Sequence, residues 1–332
     1  MEEKDINVKE RYRLLCREEK NLCVFQQHWW LDAVCGENNW DVILSVKNGQ
    51  IVGALPYYFQ QSGRKIRILT PQLTQSIGVW IKGSRSAKYE KRLSHEMAVL
   101  EDLICQLEKL PLLSCQLQNN IKLTNWLPFY WKGFSQTTYY SYRIEDLSDM
   151  ENVRAGFADM KKKNINKALK ERIQVQFDLT AEDFYENHVL TLGKQGRKIT
   201  YSYRLFERIY KAAYEHGGGR TIYAVDEAGN LHGALFVIWD EESGFDLIST
   251  FDPDYRNSGA STLLVYEMMK YLSSIGIKAF DFEGSMIPGV EDSFRHFGAR
   301  QTPYFRIWKE YGNKFEIWAD KAVRRIGSIM RR

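Results

Sequence analysis

The chain lacks the features that would tie it to a membrane, a metal or an oxidising compartment. In its 332 residues no apolar run reaches the roughly 20 positions that a spanning helix needs. The N-terminal Met1-Glu2-Glu3-Lys4 is acidic and polar, with no apolar segment behind it, so no secretory signal is expected. The five cysteines (Cys16, Cys23, Cys35, Cys105 and Cys115) are odd in number, and none forms a Cys-x-x-Cys. Free thiols in a reducing cytoplasm follow as the expectation. The six histidines do not fall beside them at ligand spacing, so no metal site is expected. A net charge of +4 permits a polyanionic partner without requiring one.

What is present is core material. Hydrophobic residues make up 44% of the chain and aromatics 14%, including 19 Tyr and 9 Trp. The length suggests two domains. Residues 6–35 read as helical, and residues 40–46 as a strand. Asn48-Gly49 is a two-residue hairpin turn, returning through 50–59. A strand at 65–69, a charged helix over about 87–110 and a strand near 112–117 follow.

Residues 251–282 then read as strand end, short loop, helix and strand. The helix carries Leu264, Met268, Tyr271, Leu272 and Ile275 on one face, and Gly276 suits its stop. The loop contains Arg256, Asn257, Ser258, Gly259, Ala260 and Ser261. Small residues feeding a helix start leave unpartnered N–H groups at the positive end of the helix dipole, which is a phosphate site by physics and otherwise a cap.

The chain also repeats itself. Gly49-Gln50-Ile51-Val52-Gly53-Ala54-Leu55 matches Gly229-Asn230-Leu231-His232-Gly233-Ala234-Leu235. Gly133-Phe134-Ser135-Gln136-Thr137 matches Gly298-Ala299-Arg300-Gln301-Thr302 in the same order. A duplicated domain is the reading, divided as 1–145 and 146–332. Only the second copy has the compact loop-to-helix junction. In the first, residues 70–86 stand there, so that copy has lost or repurposed the site.

Between the copies lies a basic helical stripe with Lys161, Lys162, Lys163, Lys167, Lys170 and Arg172, a solvated face or a phosphate-contacting one. Gly193-Lys194-Gln195-Gly196-Arg197-Lys198 is a second basic element. The tail from Trp318, with Val323, Ile326 and Ile329, reads as a basic amphipathic helix that packs on the body or touches acidic lipid.

The element order of the second copy, the Arg256-x-x-Gly259 loop, Asp281-Phe282-Glu283-Gly284-Ser285 and Phe294-Arg295-x-Phe297-Gly298 resemble the GNAT acyltransferase superfamily in its FemABX-like, or BioF2-like, branch. The resemblance implies a mixed α/β fold of two tandem GNAT-like domains, the first degenerate. It implies an acyltransferase that moves an acetyl or aminoacyl group to an amine of a small molecule or of a cell-envelope or polysaccharide precursor. The implied donor is acyl-CoA such as acetyl-CoA, with aminoacyl-tRNA the alternative. Departures are Ser261 as the last small residue of the loop and Phe294 where many relatives carry a tyrosine acid. Arg295 replaces a lysine, keeping the charge but not a proton-transfer role. No heptad run in 178–216 supplies a tRNA-grasping arm.

Acyl transfer requires a held donor, partners for the oxyanion and a base for the amine. Donor holding falls to residues 256–261. The resemblance adds a backbone N–H near Ile248 or Thr250, Phe294 on the donor side, and Tyr201, Tyr203 and Arg204 on the acceptor side. The base is Asp281 or Glu283, two apart on a strand and so expected on one face; Asp281 has an internal ion pair as its other reading. The competing class is a degenerate, non-catalytic pair that holds a nucleotide or an acidic polymer.

Overall fold

The computed structural model describes residues 7–284, 286–318 and 320. Ser285 and the tail positions Val323, Ile326 and Ile329 therefore lie outside the described residues. The chain divides into two compact units, residues 1–138 with 304–332, and residues 139–303.

The first unit opens with α1 (Val8–Glu18) and α2 (His28–Cys35). The single helical stretch expected over 6–35 is thus interrupted. A short turn at Val24–Gln26 separates the helices, and the Tyr12 hydroxyl donates to the Gln26 carbonyl at 2.6 Å across it. Strands β1 (Trp40–Lys47) and β2 (Gln50–Ser62) form the expected hairpin, with Asn48 and Gly49 at φ 51° and 78°. Then come β3 (Lys65–Leu69), β4 (Trp80–Ile81), α3 (Tyr89–Leu107), β5 (Leu112–Gln118) and α4 (Leu127–Trp131). β3 and β5 run parallel, joined by the crossover through α3. The core under that helix includes Leu55, Ile68, Leu100, Leu103 and Leu117.

Strand β6 (Ser135–Ile144) begins in the first unit and passes into the second. The second unit continues with α5 (Met150–Ala155), α6 (Asp159–Lys170), β7 (Gln174–Phe177), α7 (Ala181–Lys194) and α8 (Tyr203–Glu215). The expected meander follows as β8 (Gly219–Val225), β9 (Leu231–Trp239) and β10 (Ser243–Phe251), each antiparallel to the next. Then come α9 (Ala260–Ser274), β11 (Ala279–Asp281), α10 (Pro288–Arg295) and β12 (Arg300–Glu310).

α9 buries Leu263, Leu264, Val265, Met268, Met269 and Leu272, a wider face than the sequence stripe. Burial of each such side chain is worth about 1.5–3 kcal/mol. Ile275, expected on that face, instead lies just past the helix and is exposed. Gly276 follows at φ 88°, and the Ile277 N–H closes back on the Leu272 carbonyl at 3.0 Å, the left-handed stop that glycine permits.

The two copies share a common set of elements, to which the first adds β4 and the second α5, α6 and β7. β3–α3–β5 corresponds to β10–α9–β11, and both strand pairs are parallel. The compact units differ from the segments 1–145 and 146–332 by one strand each. β6, from the first copy, pairs with β11 (Phe280 opposite Ile144, Asp281 opposite Arg143). β12, from the second copy, pairs with β5 (Arg306 opposite Gln118 through Glu310 opposite Ser114). Each unit is closed by the last strand of the other copy. Among the described residues no helix is long and apolar enough to cross a membrane.

Candidate active site

The loop into α9 is set by its own short-range chemistry. Asp252 accepts the Asp254 N–H at 3.0 Å and holds a single turn, Pro253–Tyr255. Lys194, the last residue of α7, grips the same turn through Asp252 (2.6 Å) and Asp254 (2.6 Å). Ser258 is buried, and its Oγ accepts the Ala260 N–H at 3.2 Å. Gly259 stands at φ 80°, and a Cβ there would lie 2.2 Å from the Asn164 carbonyl oxygen on α6. Lys167 of the same helix donates to the Asn257 carbonyl at 2.5 Å. The basic stripe on α6 therefore holds the loop from beneath.

Among the described residues no acceptor takes the Gly259 or Ser261 N–H, and the exposed Arg256 guanidinium makes no ion pair. Two unclaimed N–H groups and a cation without an ion pair thus stand at the start of a 15-residue helix, the chemistry that an anion requires.

The second part is the parting of β10 from β11. The strands pair only at Ser243–Ala279, Gly244–Phe280 and Phe245–Asp281. Beyond them β10 continues to Phe251 with a register irregularity between Asp246 and Ile248. On the other side the chain leaves the strand after Asp281, and Glu283 and Gly284 both take left-handed φ, 58° and 69°. A Cβ at Gly284 would meet the Tyr140 carbonyl oxygen at 2.1 Å, so this turn is pressed against β6. Asp281 and Glu283 therefore do not share a strand face as strict alternation would have it. A glutamate at positive φ is uncommon, and such strain is found most often at functional sites.

The two acids are in different chemical states. Asp281 is buried and fully engaged. Its oxygens take the Ser141 hydroxyl, the Arg143 guanidinium at 2.7 Å and the Glu283 N–H at 2.8 Å. Arg143 also donates to Ser243 Oγ at 3.1 Å, tying β6, β10 and β11 together. That is the internal ion pair, and it fixes where the Glu283 backbone sits. Glu283 is half-buried, and its Oε1 is enclosed without a hydrogen-bond partner. Burial first, then the Asp281 and Asp246 charges, push its carboxyl well above the ordinary range. Asp246 is buried too. Its carboxyl is pushed up to about 6 by burial, with the Ser249 hydroxyl at 2.7 Å opposing.

Sequence reasoning missed Asp246, Arg143 and Ser141, and had Lys194 only as one member of the second basic element. The available signal for Asp246 was a lone carboxylate between Phe245 and Leu247 in an apolar strand. The other expected residues are placed as follows. Thr250 turns its hydroxyl to Asn187 (2.9 Å) and Thr191 (2.6 Å) on α7, and Ile248 is buried, so neither side chain is free for a ligand. Phe294 stacks on Phe282 at 4.7 Å and packs beside Tyr142 as part of the core. Arg295 is exposed and ion-paired to Glu291 and Asp292 of its own helix. Tyr201 bonds His188 at 2.7 Å, and Tyr203 packs on Tyr185. Arg204 is exposed beside them. The hydrogen bonds and ring contacts of Tyr201 and Tyr203 go to α7 and α8, not to the loop or Glu283.

Residues 158–296, which contain the loop, the strand parting and Glu283, match the family model described as an acetyltransferase (GNAT) domain. Three solved structures share the fold. FemX matches at 13% identity and TM-score 0.69, over 92% of this chain and 97% of that one. The structure of L-PGS from Bacillus licheniformis matches at 10% identity and TM-score 0.56, over 94% and 96%. The C-terminal domain of a putative lysylphosphatidylglycerol synthetase from Agrobacterium fabrum matches at 9% and TM-score 0.55, over 97% and 96%. No curated protein matches the sequence. Residues 158–296 thus carry the likeness to an acetyltransferase (GNAT) domain, and the fold shared with FemX extends over nearly the whole length of the chain.

Proposed function

We propose that the second unit transfers an acyl group from an acyl-CoA thioester to an amine, with Glu283 as general base. The observation that carries this reading is the Glu283 carboxyl, pushed up and unpartnered where β10 and β11 part. A carboxylate of raised basicity takes the proton from an attacking amine more readily than an ordinary one. The donor's pyrophosphate fits the unclaimed Gly259 and Ser261 N–H groups and Arg256. Its carbonyl would lie along β10, whose β11-facing edge beyond Phe245 has no strand partner among the described residues. N–H groups on that edge are candidates to stabilise the oxyanion. Transfer forms the C–N bond, breaks the C–S bond and leaves the amine proton on Glu283 and the thiolate on CoA. Asp281 and Arg143 position the base and do not touch the reacting atoms.

The state of α6 favours CoA over aminoacyl-tRNA as donor. Lys161, Lys162 and Lys167 are spent on Ser293, the Ala155 carbonyl and the Asn257 carbonyl, which leaves less of the stripe for an RNA backbone. The acceptor is an amine on a small molecule or an envelope precursor.

Thermal unfolding with and without CoA tests the donor site. CoA at a hundredfold excess over its Kd is expected to add about 2.7 kcal/mol of stability. Gly259→Ala is expected to abolish that gain, because its methyl collides with the α6 backbone and the loop must move. No shift with CoA, or an undiminished shift in the variant, overturns the assignment. RNA binding that falls steeply with salt would move the donor to aminoacyl-tRNA.

A further inference from the structure

The loop that feeds α9 is braced a second time, from β9, by a side chain to which acyl transfer assigns no role. His232 is buried near the start of β9. Its ring lies flat on Tyr255, with centroids 4.0 Å apart and planes at 11°. Tyr255 is the pivot of the loop. Its N–H closes the first turn on the Asp252 carbonyl at 3.0 Å, and its carbonyl closes the next by taking the Ser258 N–H at 2.9 Å. Arg256 lies inside that second turn and Gly259 directly after it, so the seat of Tyr255 bears on both.

The imidazole is itself anchored. Its Nε2 meets the Asp226 carboxylate at 3.3 Å. Asp226 in turn accepts the Ala228 N–H at 3.0 Å and the Asn230 N–H at 2.8 Å in the connection between β8 and β9. A line of contacts thus runs from that hairpin through His232 to the loop. The other ring nitrogen, Nδ1, is enclosed and has no hydrogen-bond partner among the described residues. An enclosed polar atom left unpaired costs free energy, so stability alone does not select histidine at this strand position.

The first copy offers an internal comparison. Val52 stands at the position of His232 in the repeat. The backbone acts alike in both copies. The Val52 carbonyl takes the Lys82 N–H at 2.9 Å, and the His232 carbonyl takes the Asp252 N–H at 3.0 Å. The side chains differ. Val52 packs on the apolar core of the first unit, in the copy that lacks a compact loop-to-helix junction. The imidazole occurs in the copy that has the junction, and there it touches the loop.

We infer that His232 is a positioning residue for the donor: anchored by Asp226 and stacked on Tyr255, it holds the turn that presents Arg256 and the Gly259 N–H to the pyrophosphate. The role follows only if residues 256–261 hold the donor as proposed above. Fixing a loop beforehand in its binding shape raises affinity by lowering the cost of ordering it, and a stacked ring pair supplies such a restraint.

Calorimetric titration of the intact chain with CoA, beside steady-state kinetics, tests this role. His232→Val installs the residue of the first copy. It should raise the Kd for CoA and the KM for acyl-CoA by about tenfold, with kcat at saturating donor within about twofold of wild type. His232→Phe keeps a ring under Tyr255 and should recover most of the lost affinity. Tyr255→Leu removes the stack from the side of the loop and should weaken CoA to a similar degree. The double variant should bind no more weakly than either single one, because residues in contact do not contribute additively. Melting temperature identifies a variant that has lost its fold, and Tyr255→Leu carries the test if His232→Val is such a variant. Wild-type affinity in either folded variant overturns the inference and leaves the donor site standing. So do additive losses, a fall in kcat alone, or a His232→Phe chain no better than His232→Val. A wild-type chain that takes up no CoA overturns the donor site and the inference with it.

Discussion

Glu283→Gln should lower kcat/KM for acyl transfer by about 10²–10⁴-fold, the range a positioned general base contributes. It should do so without loss of stability at neutral pH. Both expectations come from the direction of one shift. The folded-state pKa of Glu283 lies well above the ordinary carboxylate range, pushed up by burial. A carboxyl with a raised folded pKa binds its proton more tightly in the folded state. Its contribution to stability is full below the unfolded pKa and is lost as pH rises toward the folded one. Glutamine removes the group that suffers this loss, so the variant should melt at the same temperature as wild type or higher at pH 7. The rate behaves in the opposite sense. The base must be unprotonated, so wild-type kcat/KM should climb with pH through a midpoint above the usual carboxylate range, and the variant should lack that limb. A variant within twofold of wild type, or a wild-type profile flat from pH 5 to 8, would remove Glu283 from the mechanism.

Arg143→Met should produce the largest loss of stability, about 3–5 kcal/mol, measured by urea unfolding. Asp281 is 1% exposed and is left without its cationic partner when the guanidinium is gone. Stripping one member from a buried pair costs far more than never having had the pair. Arg143→Met with Asp281→Asn should therefore recover part of the loss. Activity should fall in the single variant as well, because Asp281 also accepts the N–H that holds Glu283 in its left-handed turn. A cost under about 1 kcal/mol would mean that the pair is solvated and weak.

The loop and its helix were legible because they rest on local chemistry. Gly259 and its small neighbours mark a tight junction, and the apolar spacing from Leu264 to Leu272 marks the helix behind it. The hairpins were legible for the same reason, through Asn48-Gly49 and the Gly-Ala-Leu repeat. The cleft was less so. Strand alternation predicts a common face for Asp281 and Glu283, but the strand ends at Asp281 and a positive φ redirects the glutamate. Nothing in the sequence periodicity announces where a strand stops pairing. Arg143 is 138 residues from its partner, and Asp246 acquires its raised carboxyl only from what the fold packs around it. Long-range partners of this kind are set by sheet neighbours, and a period of two says which face a residue takes without saying beside whom.

The exchanged final strands bear on how the chain is made. A domain ordinarily folds once its last residue has left the ribosome, the N-terminal one first. Here the N-terminal unit cannot close at residue 138, because the strand that covers Ser114 to Gln118 is synthesised almost 200 positions later, at Arg306 to Glu310. Until then β5 presents an open edge, the kind of surface on which chains pair wrongly. The second unit takes β6 in advance, as a strand already waiting when β11 emerges. The first unit therefore gains its last edge only when the end of the second copy has been made, and a gene cut at the apparent copy boundary would give two fragments each missing the edge that completes it.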